Sequence, residues 1–206
     1  MKVKSDEPES VIQPVRLAFA GKMAAGKTSL ARLFKMRYPK LIKFRYSDVI
    51  KRVARQAWGV EKPNRELCQK LGSVANYTIE NLWDHMITRR IVQDHVTDYM
   101  IDGLRYSANF EWWKKKGVHI IYIEVSPTVQ LKRIKKRGTI AQDLPHLNHA
   151  SELCIASNRH VADVTFNSNA SCIPYEFVDK TLDYFGIPMH MRRAWDTKLA
   201  EQVYSI

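Results

Sequence analysis

Long apolar runs and paired cysteines are both missing from this sequence. Its longest apolar segments fall well short of the roughly 18–20 residues that a membrane-spanning helix needs, so no membrane span is predicted. The three cysteines, Cys68, Cys154 and Cys172, form no CxxC pair, which argues against a disulfide framework and against a zinc ribbon. Residues 1–14 are polar and lack the apolar centre of a signal peptide, so we expect a flexible lead-in and a cytoplasmic protein with reduced thiols.

Acidic residues are also scarce relative to basic ones. The chain has 33 Lys and Arg against 21 Asp and Glu among its 206 residues, which gives a formal net charge of +12. Such an excess favours anionic partners, namely nucleotides, nucleic acid or an acidic membrane surface. A hydrophobic fraction of 45% is enough for one domain with a buried core. The basic residues are spread over helical segments, with one local concentration at residues 131–138, LKRIKKRG.

Apolar strand patterns and helical patterns alternate along the chain. Five short apolar segments are predicted strands: VRLAFA (15–20), LIKFRY (41–46), YMIDG (99–103), VHIIYIEV (118–125) and VADVTF (161–166). Predicted helices lie between them, and three of these helices fall between the second and third strands. This order indicates an α/β fold with three layers, in which helices cover a central five-stranded parallel sheet.

A glycine-rich loop follows the first predicted strand. Residues 21–28, GKMAAGKT, fit the pattern G-x-x-x-x-G-K-[ST] at every fixed position, between a strand and a helix, as a phosphate-binding P-loop requires. Backbone N–H groups of such a loop and the positive end of the following helix bind phosphate oxygens. We predict that Lys27 reaches the β- and γ-phosphates of ATP and that the Thr28 hydroxyl holds Mg²⁺. The predicted ATP-binding residues of this loop and helix are Gly21, Ala24, Ala25, Gly26, Lys27, Thr28 and Ser29.

Two further polar segments suit phosphoryl transfer. Asp102 and Arg105, at the end of the third predicted strand, are positioned to hold Mg²⁺ and to bind a phosphate. Arg133 and Arg137 are four residues apart and therefore share one helix face, from which they are predicted to close over the transferring group. Residues 138–150 are polar, and we predict that they form a short lid. GTPases, motors, transporter subunits and small-molecule kinases all use a P-loop, so that motif alone leaves the reaction open.

The P-loop and several other segments together resemble one family, the P-loop nucleoside monophosphate kinases. The likeness is greatest to the deoxynucleoside monophosphate kinases best known from bacteriophages. Beside the P-loop, the similar segments, in matching order, are YSDVIKRVA (46–54), RELCQKLG (65–72), IDGLRYSANFEWWKKKG (101–117), HASE (149–152) and VADVTFNSNAS (161–171). The resemblance covers residues 15–186. Residues 187–206 have no counterpart in it, and we expect them to form a helical tail.

The resemblance implies a P-loop kinase fold and the transfer of the γ-phosphoryl group of ATP, with Mg²⁺, to a nucleoside or deoxynucleoside monophosphate. It places an NMP-binding insertion at about residues 47–96 and a lid at about residues 138–150 of a kinase domain spanning residues 15–186. Asn167 would lie near the adenine ring. The implied acceptor residues are Asp48, Lys51, Arg65, Gln69 and Trp83. The implied catalytic residues are Lys27, Arg105, Arg133 and Arg137. Small-molecule nucleotides would be the partners of a monomer or homodimer.

Three alternatives remain open. Dephospho-coenzyme A kinases also have the P-loop, an acid after the second strand, a basic lid and a similar final strand, although RELCQKLG favours the nucleotide kinases. A nucleic-acid-binding ATPase is suggested by the net charge of +12, but the sequence has no RRM signature, zinc finger or helix-turn-helix spacing. A catalytically weak nucleotide-binding scaffold is disfavoured because Lys27, Asp102 and Arg105 are all present.

Overall fold

The structure is a computed structural model that describes residues 12–147, 149–170 and 173–204, with the backbone alone at residues 65, 75–77, 142 and 151. Its strands within these ranges are β1 (Arg16–Ala20), β2 (Ile42–Arg45), β3 (Tyr99–Leu104), β4 (His119–Glu124) and β5 (Val164–Asn167). Its α-helices there are α1 (Lys27–Arg37), α2 (Tyr46–Trp58), α3 (Arg65–Thr78), α4 (Leu82–Gln93), α5 (Ser107–Lys115), α6 (Pro127–Lys136), α7 (Ile140–Asp143), α8 (Ala150–Ser157), α9 (Tyr175–Tyr184) and α10 (Thr197–Tyr204).

The five strands form one parallel sheet in the order β2-β3-β1-β4-β5. β1 lies at the centre, where it pairs with β3 and β4, and Phe19 is opposite Asp102 in the β1–β3 register. Because the carboxyl ends of parallel strands meet at one edge, the loop after β1 lies beside the end of β3. The order of the strands therefore brings the two predicted phosphate-binding segments together.

Helices bury both faces of the sheet. Leu17 and Phe19 point to one face and pack with residues of α1, α9 and α10, whereas Ala18 and Ala20 point to the other and pack with residues of α2, α4 and α5. A strand buried on both faces has no polar side to expose, which is why β1 is apolar throughout its last four residues. The predicted three-layer α/β fold with a central five-stranded parallel sheet is confirmed.

Several predicted boundaries differ from those observed. The second strand, predicted over residues 41–46, ends at Arg45, and α2 begins at Tyr46. Asn81 adopts a left-handed backbone conformation with φ of 55°, and α4 begins at the next residue, Leu82. The last strand begins at Val164, later than predicted, because residues 159–161 form a 3₁₀ turn.

The C-terminal segment packs onto the same core as the P-loop helix. α10 contacts α1, and Ile187, Ala200 and Tyr204 are buried in the cluster that contains Leu17 and Phe19. The predicted flexible segment 1–14 falls mostly outside the described residues, as does Cys172, whereas Cys68 and Cys154 are free thiols. No helix in the described part of the chain combines the length and the apolar character that a membrane span requires.

Candidate active site

The P-loop joins β1 to α1 and is shaped by its glycines. Gly21 has φ of 141°, and a Cβ atom at this position would collide with the carbonyl oxygen of Ile123 on β4. Gly26, with φ of 99°, is the residue that caps α1 at its N-terminus. Both positions therefore require glycine, because L residues with a side chain rarely adopt these conformations. The loop places its backbone around the N-terminus of an eleven-residue helix, where phosphate oxygens bind favourably.

Lys27 is turned back onto the loop in this structure. Its Nζ atom donates hydrogen bonds to the carbonyl oxygens of Gly21 (2.6 Å) and Lys22 (2.8 Å). Burial and, to a smaller extent, the nearby charge of Arg105 together lower the pKa of the Lys27 ammonium from its ordinary value of 10.5 to about 8, although the charges of Asp102 and Glu152 oppose the shift. The lysine is thus a cation held among polar groups at the place where a phosphate chain would lie.

Thr28 and Asp102 present adjacent oxygen atoms at the end of the sheet. The Thr28 hydroxyl donates to the Asp102 carboxylate over 3.2 Å, and Asp102 itself is buried at the end of β3. A hydroxyl, a carboxylate and room for water form the donor set that Mg²⁺ prefers when phosphates supply its other ligands. Arg45, whose Nε lies 3.7 Å from the same carboxylate, had no predicted role. These residues fit the oxygen donor set of a magnesium ion, which Thr28 and Asp102 would hold.

Arg105 projects from the turn after β3 and is fixed from two directions. Its guanidinium donates from Nη1 to Oε1 of Glu152, and Oε2 of Glu152 accepts a hydrogen bond of 2.7 Å from the backbone amide of Met23 in the P-loop. The backbone amide of Tyr106 donates to Oδ1 of Asn109 over 3.0 Å, which holds the chain beside Arg105. Sequence reasoning missed Glu152, although the segment HASE that contains it was singled out as part of the resemblance.

Arg133 is buried under the P-loop. Its side chain is 7% exposed, and its guanidinium donates to the carbonyl oxygens of Ala24 and Ala25 (3.3 Å each) and to Oγ and O of Ser168 (3.1 and 2.6 Å). Burial lowers its pKa. In this structure the buried guanidinium supports the loop, and the predicted role of Arg133 in closing over the reaction centre stays a prediction. Arg137, at the C-terminal end of α6, is exposed.

We expect Arg133→Met to reduce the free energy of unfolding by about 2–4 kcal/mol, because several buried acceptors lose a charged donor at once. Denaturant unfolding followed by circular dichroism measures this difference. Arg137→Met on the same helix is the matched control, and a change within about 0.5 kcal/mol is expected for an exposed arginine. Equal effects of the two substitutions would contradict the supporting role of Arg133.

The lid segment lies against the P-loop. Ile140 and Leu147 of this segment pack on a small apolar cluster. The cluster consists of Met23 and Ala24 of the P-loop and Ile134 of α6. It contains α7 and a 3₁₀ turn at residues 144–146 rather than an unstructured loop. The predicted closing motion of residues 138–150 stays a prediction.

A cleft of about 490 Å³ opens beside the P-loop and extends under α2 and α3. Lys51, Gln69 and Trp83, three of the predicted acceptor residues, line it. Trp83 is buried and donates from Nε1 to the carbonyl oxygen of Gly72 over 3.3 Å. The complete set of described lining residues is Lys27, Thr28, Tyr46, Ser47, Ile50, Lys51, Pro63, Cys68, Gln69, Gly72, Trp83, Asp102, Gly103, Arg105, Tyr106, Asn109 and Asp143.

The other two predicted acceptor residues are Asp48 and Arg65. Asp48 is exposed in the first turn of α2 and does not belong to the described lining of the cleft. α3 begins at Arg65, whose side chain lies outside the described part of the structure. The described lining runs from Lys27 to Asp143, so the cleft brings together residues that are up to 116 positions apart in the sequence.

A buried polar network forms the floor of the cleft, and no sequence motif indicated it. Asp84 is fully buried and accepts hydrogen bonds from the Tyr46 hydroxyl and from Nδ2 of Asn109 (2.6 Å). The Tyr46 hydroxyl accepts in turn from Nε1 of Trp113 over 2.7 Å. Burial raises the pKa of Asp84, although these hydrogen bonds oppose the effect. Because Asn109 also holds the turn that carries Arg105, the network fixes one wall of the cleft.

Asn167 is the last residue of β5 and is exposed. Its Oδ1 atom accepts from the backbone amide of Asn169 over 2.9 Å, and Oδ1 of Asn169 accepts from the amide of Ser126 over 2.7 Å. These bonds order the turn after β5 beside the start of α6. The predicted role of Asn167 near an adenine ring stays a prediction.

The sheet order, the P-loop and the helix that follows it define the P-loop kinase fold. The sequence matches the family model AAA_18, an AAA domain, over residues 17–152, and the chain belongs to this AAA domain family. Shikimate kinase from Acinetobacter baumannii, solved in complex with shikimate, is similar with a TM-score of 0.54 and 18% identity over 86% of this chain and 96% of that one. This likeness confirms the fold.

A second solved structure is similar at a lower level. It is an unliganded sugar kinase from Janibacter sp. HTCC2649, with a TM-score of 0.46 and 14% identity over 88% of this chain and all of that one, 100%. None of the curated proteins matches the sequence.

Proposed function

We propose that this protein is an ATP-dependent phosphotransferase whose acceptor is a nucleoside or deoxynucleoside monophosphate. The observation that carries the proposal is the single cleft of about 490 Å³ that joins the P-loop residues Lys27 and Thr28 to Arg105 and to Lys51 on the inserted helices. A triphosphate donor and a phosphate-bearing acceptor both need cations, and this cleft has them at both ends. A hydrolase that uses water alone needs no second cationic wall.

In the proposed reaction, an oxygen of the acceptor phosphate attacks the γ-phosphorus of ATP. A P–O bond forms to the acceptor as the bond to the β-phosphate oxygen breaks, and ADP leaves. The acceptor oxygen is already anionic, so no general base is required. Lys27 and the loop amides bind the donor phosphates, and Arg105 neutralises charge on the transferring or acceptor phosphate. Mg²⁺, held by Thr28 and Asp102, would supply further charge neutralisation when bound.

The walls of the cleft suit a nucleobase. Tyr46, Trp83 and Tyr106 line the cleft with aromatic rings and Gln69 lines it with an amide, whereas the amide of Asn109 is already bonded to Asp84 and Tyr106. A planar base is bound more tightly by stacking on aromatic rings and by hydrogen bonds to its edge. A compact hydroxylated acceptor has no planar ring that could stack on these side chains. These features support a nucleotide acceptor.

An acceptor panel with Mg-ATP tests the proposal. The panel contains the common nucleoside and deoxynucleoside monophosphates, dephospho-coenzyme A and shikimate, and ADP release is measured with a coupled assay. We expect at least one monophosphate to stimulate ADP release more than about 10²-fold over water, since positioning of two reactants accounts for much of such a rate.

The background rate of ADP release is measured in the same assay without Mg²⁺ and with the Lys27→Ala protein. If only dephospho-coenzyme A stimulates ADP release, it replaces the nucleoside monophosphate as the proposed acceptor. ATP hydrolysis that is stimulated by DNA, with no transfer to any monophosphate, would overturn the kinase assignment in favour of a nucleic-acid-binding ATPase.

A further inference from the structure

A carboxylate is buried between the donor loop and the acceptor arginine. Glu152, on α8, is 1% exposed, and its two oxygens serve two different partners. Oε2 accepts from the amide of Met23 in the P-loop over 2.7 Å, and Oε1 accepts from Nη1 of Arg105. One side chain therefore bridges a loop 129 residues before it in the chain and an arginine 47 residues before it.

The carboxylate is ionised in this position. Burial alone would raise the pKa of Glu152, but the charges of Arg105 and Lys27 and the hydrogen bond from Met23 hold it below its ordinary value. A buried negative charge beside a site for polyphosphates repels the substrates. The carboxylate of Glu152 is also buried, so water does not stabilise its charge. A compensating benefit must therefore come from what it does to its two partners.

Arg105 gains order from this bond. An arginine side chain has four rotatable bonds and loses much rotamer freedom when it is fixed. Here the guanidinium is held by Glu152, while Asn109 holds the backbone on the other side through the amide of Tyr106. Arg105, whose side chain is partly exposed, lines the cleft together with Lys27.

We propose that Glu152 is a positioning residue for phosphoryl transfer. It fixes the guanidinium of Arg105 over the cleft and, through Met23, keeps the acceptor arginine at a set distance from the donor loop. This inference rests on the proposed function for its kinetic consequence and on the geometry alone for its structural one. The two are tested separately.

Glu152→Gln is the first kinetic test. The glutamine keeps the size of the side chain, and its carbonyl oxygen can still accept from Met23, but its amide group cannot accept from Arg105. We expect kcat to fall by about 10²-fold, the loss typical of a displaced catalytic group. The Kd for ATP, measured by tryptophan fluorescence, is expected to change by less than about twofold, because the P-loop contact is kept.

Glu176→Gln is the matched control. Glu176 on α9 forms an exposed pair with Lys180 at 2.7 Å, so this variant removes one carboxylate from an ion pair far from the cleft. We expect it to leave kcat, the Kd for ATP and the melting temperature unchanged. If Glu152→Gln does not fold, Glu152→Asp replaces it, because aspartate keeps the charge but is too short to bridge both partners, and the same fall in kcat is expected.

A double-mutant cycle separates positioning from a merely structural role. If Glu152 acts through Arg105, Glu152→Gln adds less than about a twofold loss of kcat in an Arg105→Ala background. Multiplicative losses would contradict the proposal, because they would show that Glu152 acts independently of the arginine. Unchanged kcat with tighter binding of ATP would also overturn it, since Glu152 would then be only an internal anion that occupies the phosphate site.

A direct readout of Arg105 does not depend on the acceptor. In nitrogen-15 NMR spectra, the Nε–H signal of Arg105, assigned from Arg105→Lys, is expected to be ordered and slow to exchange in the wild-type protein and in Glu176→Gln, and to be averaged in Glu152→Gln. An ordered signal in Glu152→Gln would overturn the positioning role even if no monophosphate is phosphorylated. Failure of the acceptor panel alone would instead overturn the proposed function.

Discussion

Replacing Lys27 with alanine is expected to lower the rate of phosphoryl transfer by about 10²–10³-fold, the cost of losing one preorganised donor to a developing charge. Lys27 lines the cleft, and its Nζ atom is held by the carbonyl oxygens of Gly21 and Lys22 in this structure. The measurement is kcat from the coupled ADP assay with the best acceptor of the panel.

The stability of the protein provides the control for Lys27. Its pKa of about 8 lies below the unfolded value of 10.5, so the unfolded chain binds more protons between these two pH values. Stability contributed by Lys27 therefore rises with pH across this window and is lost as pH falls through 8.

We expect the wild-type protein to gain about 2–3 kcal/mol relative to Lys27→Met between pH 8 and 10.5, less than the full pKa shift implies, since the half-buried side chain keeps some solvation. A Lys27→Ala protein that is unfolded at pH 7 would contradict the role of Lys27 in transfer, because the loss of activity would then come from unfolding and not from the missing ammonium group.

The fold and the donor loop could be predicted because their signals are local. The P-loop is eight consecutive residues, from Gly21 to Thr28, and β1 is apolar on both faces because both faces are covered. Such patterns can be recognised without knowing which residues are in contact in the folded protein. The strand order was not predicted from the sequence, and it is this order that brings Asp102 beside Thr28.

The supporting residues of the site could not be predicted in the same way. Glu152 meets Met23 across 129 positions, and Asp84 meets Asn109 across 25, so no spacing in the sequence links them. Burial of a carboxylate depends on partners that come from other elements, and a single sequence does not give those partners. The segment HASE was noticed as a resemblance, but only the fold shows which groups its glutamate reaches.

Arg133 illustrates a second limit. A separation of four residues places Arg133 and Arg137 on one helix face, but it does not say which neighbour that face meets. Arg133 lies under the P-loop, whereas Arg137 is at the end of α6, where the helix no longer packs on the loop. The spacing therefore predicted that both arginines lie on one helix, but it could not predict what the side chain of Arg133 contacts.

Replacing Arg105 with alanine is expected to have the larger effect, a fall in transfer of about 10³–10⁵-fold, as for other arginines that neutralise charge on a transferring phosphoryl group. The Kd for ATP is expected to change less than kcat, because the P-loop contacts are kept. Arg105→Lys is the matched variant: it keeps a positive charge beside Glu152 but loses the planar fork, so an intermediate loss is expected.

Arg105→Ala is also expected to lower the stability of the protein. The substitution leaves the buried carboxylate of Glu152 without its main cationic partner. We expect the free energy of unfolding to fall by about 1–3 kcal/mol, which a folded domain tolerates. The loss is limited because Lys27 lies close enough to lower the pKa of Glu152, and the charge of Arg105 no longer lowers the pKa of Lys27. A folded Arg105→Ala protein whose affinity for ATP falls by the same factor as kcat would contradict its assignment to the acceptor side, since the arginine would then act on the bound donor.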